Sequence, residues 1–241
     1  MRPDAERVDL YRRGEAFMLA QVAALDDGAL GEPCALPGWT RSHLLAHLAR
    51  NADALGNLLR WASTGVETPM YTSAEQREGD IMASARQAPA ALRADVAAAS
   101  TRLAEALAAL PDPAWSATVR TARGRPITPD EVPWMRIRET WVHAVDLDVG
   151  ATFADLPAAV VTQLVDEVAT GLAGRADCPA MAVVPDDLGG RRWRVGPAGG
   201  EAVEVTGPGA ALLAWIIGRS AGEGLKATAA DGRPPAPPPW L

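Results

Sequence analysis

Residues 36–55 read LPGWTRSHLLAHLARNADAL, and they decide the fold because they combine a turn, a helix start and a buried helix face. Pro37 and Gly38 predict the turn. Thr40 is suited to the N-cap, where its hydroxyl can accept a hydrogen bond from the free amides of the next turn. Apolar residues then recur at the spacing of one buried helix face, namely Leu44, Leu48, Leu55 and Leu59, widened by Leu45, Ala52 and Leu58. The stretch therefore predicts a long amphipathic helix over about 41–63.

Further helices are predicted on both sides of this stretch. They cover about 4–26, 73–110, 130–149 and 157–174. Pro89 splits or kinks the second of them, because proline lacks an amide hydrogen and clashes with the preceding turn. Several long amphipathic helices joined by short breaks predict a helical bundle that ends near residue 150.

The pattern changes in the last third of the chain. Short strands are predicted at Met181–Val184, Arg192–Val195 and Ala202–Val205, followed by a helix at Pro208–Gly218 and an extended tail, PPAPPPWL. The predicted fold class is mainly α with a small α+β part. It comprises a helical bundle over residues 1–150, a connecting helix within 151–176, and a small α/β C-terminal domain with its Pro-rich tail over 177–241.

Composition argues against several classes of protein. A net charge of -7 and a pI of about 5.0 disfavour non-specific nucleic-acid binding. No stretch approaches the ~18–20 apolar residues of a membrane span. The N-terminal MRPDAERVDLYRRGEAF lacks the apolar core of a signal peptide, so we expect a cytoplasmic protein without a membrane partner. Cys34 and Cys178 have no CxxC partner and are expected to be ordinary thiols.

The three histidines of the chain, His43, His47 and His143, all lie in the two best-defined helices. Glu139 and His143 are four residues apart, so a carboxylate and an imidazole project from successive turns of one helix face. Such oxygen and nitrogen donors suit a divalent ion, above all Zn²⁺. His47 from a facing helix would complete a three-ligand site with an open position, which is typical of catalytic zinc.

Each of these residues also has a less specific interpretation. Glu–His pairs at this spacing are common surface contacts on helices. Here the neighbouring side chains are apolar, which argues against a solvated face: Trp141, Val142, Val145 and Leu147. His43 competes with His47 but lies in the first turn after the N-cap, so we expect it at the surface or behind a ligand. Asn51 and Asp146 lie about one turn beyond His47 and His143, where they either orient the imidazoles or are ordinary helix-surface residues.

Four segments carry a resemblance to a known family. They are LPGWTRSHLLAHLARNADAL (36–55), PMYTSAEQREGDI (69–81), RIRETWVHAVDLDVG (136–150) and GPGAALLAWIIGRSAG (207–222). In this order and at these distances they resemble the mycothiol-dependent maleylpyruvate isomerase family over nearly the whole chain. That family belongs to the DinB-like metal-binding four-helix bundles. The resemblance therefore implies a DinB-like four-helix bundle followed by a C-terminal α/β domain.

The resemblance also implies roles for individual residues. It places the family's metal ligands on His47, Glu139 and His143, and it leaves His43 outside the set. It places a C-terminal-domain arginine that faces the active site on Arg219, which by itself looks like an ordinary arginine at a helix C-terminus. Arg77 is a weaker candidate for contact with a substrate carboxylate, and a solvated helix arginine is the favoured interpretation of it.

The implied reaction is isomerisation of maleylpyruvate to fumarylpyruvate, with mycothiol as the thiol cofactor. Zn²⁺, or another divalent metal, would deprotonate the thiol at its open position. The thiolate would add to the conjugated double bond, permit rotation, and leave. Arg219 would pair with a substrate carboxylate or stabilise the enolate.

Two alternatives stay open at this point: a mycothiol S-transferase that acts on another electrophile, and a non-catalytic metal-binding bundle. The expected partners are an unsaturated keto-dicarboxylate substrate and mycothiol. The chain itself is expected to be a monomer or a small homo-oligomer.

Overall fold

The computed structural model describes residues 2–199 and 201–240 of the chain. The chain divides into two compact units, residues 1–151 and residues 152–241. The long helices of the first unit are α1 (Ala5–Ala24), α2 (Arg41–Thr64), α3 (Ala74–Ser84), α4 (Pro89–Ala109) and α5 (Val132–Asp146). The second unit contains α6 (Ala158–Leu172), α7 (Gly209–Ile216) and a small sheet.

The start and end of α2 are both set by local chemistry. The His43 amide donates to the Thr40 hydroxyl (3.4 Å), and the Thr40 amide donates to His43 Nδ1 (3.2 Å). This reciprocal pairing satisfies two backbone amides at the helix start. Gly65 ends the helix with a φ of 72°, a left-handed conformation that glycine adopts without a Cβ clash. The predicted leucine face is buried, and each such leucine contributes about 1.5–3 kcal/mol.

Four helices form a closed ring around the core of the first unit. α1 packs along α5, α5 contacts α2, α2 packs along α4, and α4 contacts α1. α3 lies against α2. α1 and α5 lie close together at Gly14, where an added Cβ would lie 2.6 Å from Thr140 Oγ1. The predicted four-helix bundle is confirmed.

The helix predicted over 73–110 is split into α3 and α4, in agreement with the break predicted at Pro89. Pro89 is the first residue of α4, a position where its missing amide hydrogen costs no helical bond. The segment predicted as a loop before α5 contains a hairpin of β1 (Val119–Arg120) and β2 (Pro126–Ile127). Strands of two residues are too short to show an alternating pattern in sequence.

The sheet of the second unit is mixed. Its strands are β3 (Met181–Pro185), β4 (Trp193–Val195), β5 (Val203–Gly207) and β6 (Lys226–Ala227), in the spatial order β4-β3-β5-β6. β3 and β5 are parallel, and β4 and β6 are antiparallel edge strands. β6 is two residues long and was not predicted. The predicted fold class, mainly α with a small α+β part, is confirmed.

The helices of the second unit cover its sheet. α7 packs on β3 and β5, and α6, the predicted connecting helix, packs on α7 and β4. The tail is free of helix and strand as far as Trp240, and its last residue, Leu241, lies outside the described residues. Arg175 donates to the Pro239 carbonyl (3.1 Å). Within the described residues, no helix has the length and apolar character needed to cross a membrane.

Candidate metal centre

α5 supplies two of the three predicted ligands. Glu139 and His143 lie one turn apart, and Glu139 Oε2 is 3.3 Å from His143 Nε2. Their side chains are each 15% exposed, and Trp141 and Val142 beside them are buried. The pair therefore lies at the margin of the core, in contrast to a solvated helix face.

α2 brings the third predicted ligand, His47, to the same point. His47 is 7% exposed, and its Nε2 lies 2.9 Å from Glu139 Oε2. One donor atom from each of His47, Glu139 and His143 lies within 4.8 Å of the others. Ligand atoms about 2.0–2.1 Å from a tetrahedral ion are roughly 3.3 Å apart, so these separations and donor types fit a small divalent ion.

Asp146 orients the imidazole of His143. Asp146 is fully buried, and its Oδ2 accepts from His143 Nδ1 at 2.8 Å, which leaves Nε2 directed at Glu139. Burial lowers the pKa of His143, but hydrogen bonds to Asp146 and Glu139 outweigh it and raise the pKa to about 9. This contact matches the carboxylate–histidine pairs that fix metal-ligating histidines. Asp146 thus takes the orienting role considered for it from sequence.

The other two predicted ligands differ in charge. Burial raises the pKa of the Glu139 carboxyl, but hydrogen bonds from His143 and His47 dominate and hold that pKa well below its usual range. Burial lowers the pKa of His47, only partly opposed by its hydrogen bond to Glu139. At neutral pH the donor set without metal therefore comprises a carboxylate, a neutral imidazole and a protonated His143.

Arg77 belongs to the surroundings of this centre, although a solvated helix arginine was the favoured interpretation of its sequence. Its Nη2 lies 3.3 Å from His47 Nδ1, and its guanidinium lies 5.7 Å from the centroid of the Tyr71 ring. The interpretation of Arg77 as a solvated helix arginine is therefore wrong. The sequence signal was weak, because α3 has few apolar residues and no periodicity that marks one face as the site.

The remaining histidine and asparagine have structural contacts outside the donor set. His43 Nδ1 lies 2.8 Å from Thr40 Oγ1 at the start of α2, one turn from His47. The Trp39 ring contacts His47 edge-on, with centroids 5.7 Å apart, and so covers one side of that ligand. Asn51 is buried and accepts from Arg136 rather than from a ligand imidazole.

Arg219 lies in the second unit, just beyond α7. It follows Gly218, whose φ is 75°, and its Nη1 donates to the Ile217 carbonyl (3.3 Å). This contact is the one expected of an arginine near a helix C-terminus. Its assignment to the active site stays a prediction from the resemblance.

Comparisons with known proteins point to one family across both units. The model of the mycothiol maleylpyruvate isomerase N-terminal domain matches residues 11–148, and that of the MDMPI C-terminal domain matches residues 155–239. A crystal structure of a mycothiol-dependent maleylpyruvate isomerase is 38% identical, with a TM-score of 0.91 over 98% of this chain and 96% of that chain. A histidine-to-alanine mutant of such an isomerase gives 37% identity, with the same TM-score and coverage.

A search of curated proteins gives no match. The two domain models nevertheless account for most of both units, in the order that the sequence motifs predict. The chain therefore belongs to the mycothiol maleylpyruvate isomerase family.

Proposed function

We propose that this protein catalyses the mycothiol-dependent cis–trans isomerisation of maleylpyruvate to fumarylpyruvate at the centre formed by His47, Glu139 and His143. The observation that carries the proposal is the convergence of one carboxylate and two imidazoles within 4.8 Å, at the margin of a buried helix interface. The 38% identity to a mycothiol-dependent maleylpyruvate isomerase supports the choice of reaction.

The donor set matches what an activating zinc site requires. A bound Zn²⁺ would lower the pKa of a thiol at its open position, which makes thiolate available near neutral pH. Glu139 contributes one negative charge and the imidazoles contribute none when deprotonated, so these ligands leave a divalent ion with net positive charge. Asp146 holds the His143 ring in its ligating orientation.

The isomerisation itself needs a reversible bond to sulfur. Mycothiol, when bound, would supply a thiolate that can add to the conjugated alkene, with the alkene electron pair moving into an enolate, and leave again after rotation about the resulting single bond, so that no atom would be gained or lost. Arg77 and Arg219 are the candidates for holding the substrate carboxylates or the enolate oxygen, since a guanidinium binds such anions through paired hydrogen bonds.

The test is an isomerase assay with zinc-loaded protein. Maleylpyruvate is followed by its ultraviolet absorbance with and without mycothiol, for wild type, His47→Ala and His43→Gln. We expect turnover only with mycothiol, loss of turnover in His47→Ala, and near-normal turnover in His43→Gln, because His43 lies on the same helix but outside the donor set.

Two results would contradict the proposal. Turnover of another electrophile with mycothiol, without isomerisation, would identify an S-transferase instead. Wild-type protein that binds no metal, together with a fully stable His47→Ala variant, would exclude a zinc mechanism.

A further inference from the structure

One guanidinium is buried completely inside the four-helix bundle. Arg136 has no exposed surface, and its hydrogen bonds form a set that we call the Arg136 network. Nε donates to Glu15 Oε1 (2.7 Å), Nη1 to the Leu48 carbonyl (2.8 Å) and Asn51 Oδ1 (3.0 Å), and Nη2 to Glu15 Oε2 (3.4 Å) and Ser100 Oγ (3.3 Å). A guanidinium has five N–H donors, and every one of them has an acceptor here.

The Arg136 network connects all four helices of the bundle. Arg136 is on α5, Glu15 on α1, Leu48 and Asn51 on α2, and Ser100 on α4. Because a guanidinium is planar and its donors have fixed directions, the network accepts only a narrow range of helix positions. It therefore specifies how the four helices are placed along and around one another.

The network lies next to the predicted metal ligands. Arg136 precedes Glu139 by one turn of α5, and Leu48 directly follows His47 on α2. The two hydrogen bonds from Arg136 Nη1 join α5 to α2 close to His47. A slide or rotation of α2 that separated His47 from Glu139 would lengthen these same bonds.

Stability alone does not account for such a network. Replacing a buried ion pair by apolar side chains of similar volume is often neutral or stabilising, because removing charges from water is costly. A metal centre, in contrast, needs its ligand atoms held within about 0.5 Å of the working geometry. The network provides directional contacts at the place where that precision is required.

We propose that Arg136 is a positioning residue that holds α2 against α5 so that His47 and Glu139 stay at ligand distance. The inference rests on the proposed function for the metal itself. Arg136 itself lies in the interior of the bundle, and its five side-chain donors bind groups other than the three predicted ligands.

The test compares two double variants at a temperature well below unfolding. The double variant Glu15→Leu/Arg136→Met removes both members of the buried ion pair, so that neither charge is left unpaired in the core. Arg50→Met/Asp95→Asn is the matched control, because Arg50 is also on α2 but pairs with Asp95 of α4 at 2.9 Å and not with α5. Zinc affinity is measured by competition with a chromophoric chelator, the coordination geometry by the visible spectrum of the Co²⁺ form, and stability by thermal unfolding.

We expect zinc binding in Glu15→Leu/Arg136→Met to weaken about 10–100-fold with an altered Co²⁺ spectrum, while the control stays within about threefold of wild type. Unchanged affinity and spectrum in the first variant would overturn the proposal. If that variant does not fold, Asn51→Leu decides, since it keeps the ion pair and removes one link to α2. It should weaken zinc binding, and wild-type affinity would overturn the proposal.

The positioning role of Arg136 can be tested even if the proposed metal-dependent function is wrong. If wild-type protein takes up no metal, crystal structures of the metal-free proteins give the separation of His47 Nε2 and Glu139 Oε2, 2.9 Å in the native arrangement. A longer separation in the variant would support the positioning role, and an unchanged one would refute it.

Discussion

Replacement of Asp146 by asparagine tests whether Asp146 orients His143 for metal binding. In Asp146→Asn the side-chain amide oxygen can still accept from His143, but the negative charge that faces His143 Nδ1 at 2.8 Å is lost. A hydrogen bond to a charged group contributes about 1.5–3 kcal/mol, against about 1 kcal/mol for a neutral one. Since about 1.4 kcal/mol is a tenfold change in affinity, we expect zinc to bind roughly tenfold more weakly once His143 is deprotonated.

The expected loss of zinc affinity in Asp146→Asn depends on pH, because Asp146 also stabilises the proton on His143 that zinc would displace. With the pKa of His143 at about 9, we expect proton competition near pH 7 to weaken zinc binding to the wild type by about 100-fold. Loss of the Asp146 charge lowers that pKa, so the variant has less proton competition. The defect should therefore be full at about pH 9.5 and smaller, or even reversed, near pH 7.

The assay is a chelator-buffered zinc titration at both pH values. Asp148→Asn is the matched control, because Asp148 is two residues away, mainly exposed, and has a φ of 55° that asparagine tolerates. Wild-type affinity of Asp146→Asn at about pH 9.5 would refute the orienting role. An equal defect at both pH values would refute the assignment of the raised pKa to Asp146.

Four further predictions concern packing and substrate binding. Gly14→Ala should lower the free energy of unfolding by about 1–3 kcal/mol in urea titrations, because its Cβ would meet Thr140 at 2.6 Å; Gly56→Ala, with open space around it, should stabilise α2 by up to about 1 kcal/mol. Arg77→Met should raise KM for the keto-dicarboxylate about tenfold while zinc affinity changes by less than about threefold; an unchanged KM would argue against carboxylate contact. Arg219→Met should lower kcat/KM about 10–100-fold at unchanged metal content, and full activity would show that the resemblance misassigns this residue.

The helices of this protein were largely predictable from local sequence. The turn before Thr40, the N-cap and the leucine spacing predicted α2 to within one residue of its observed Arg41–Thr64. Local chemistry sufficed because capping and amphipathic periodicity act between residues at most a few positions apart. The hairpin of β1 and β2 and the strand β6 were missed, since two residues contain no period to detect.

The pairing of Glu139 with His143 was predictable for the same reason, and the contacts that other helices make with this pair were not. Glu139 and His143 share a helix face by their spacing alone. His47 is 92 residues from Glu139, and its approach to 2.9 Å is decided by how α2 packs against α5. The role of Arg77 likewise depends on α3 lying against α2, and the sequence of α3 does not encode that contact locally.

The sequence by itself therefore determined the helices, their buried faces and the donor types available for a metal. Only the tertiary structure decided that Arg136 joins four helices, that Asn51 binds Arg136, and that His47 approaches Glu139. The physical reason is that helix periodicity is a local property, whereas the partner of a buried polar side chain is chosen by the packing of segments distant in sequence, where each donor must find an acceptor.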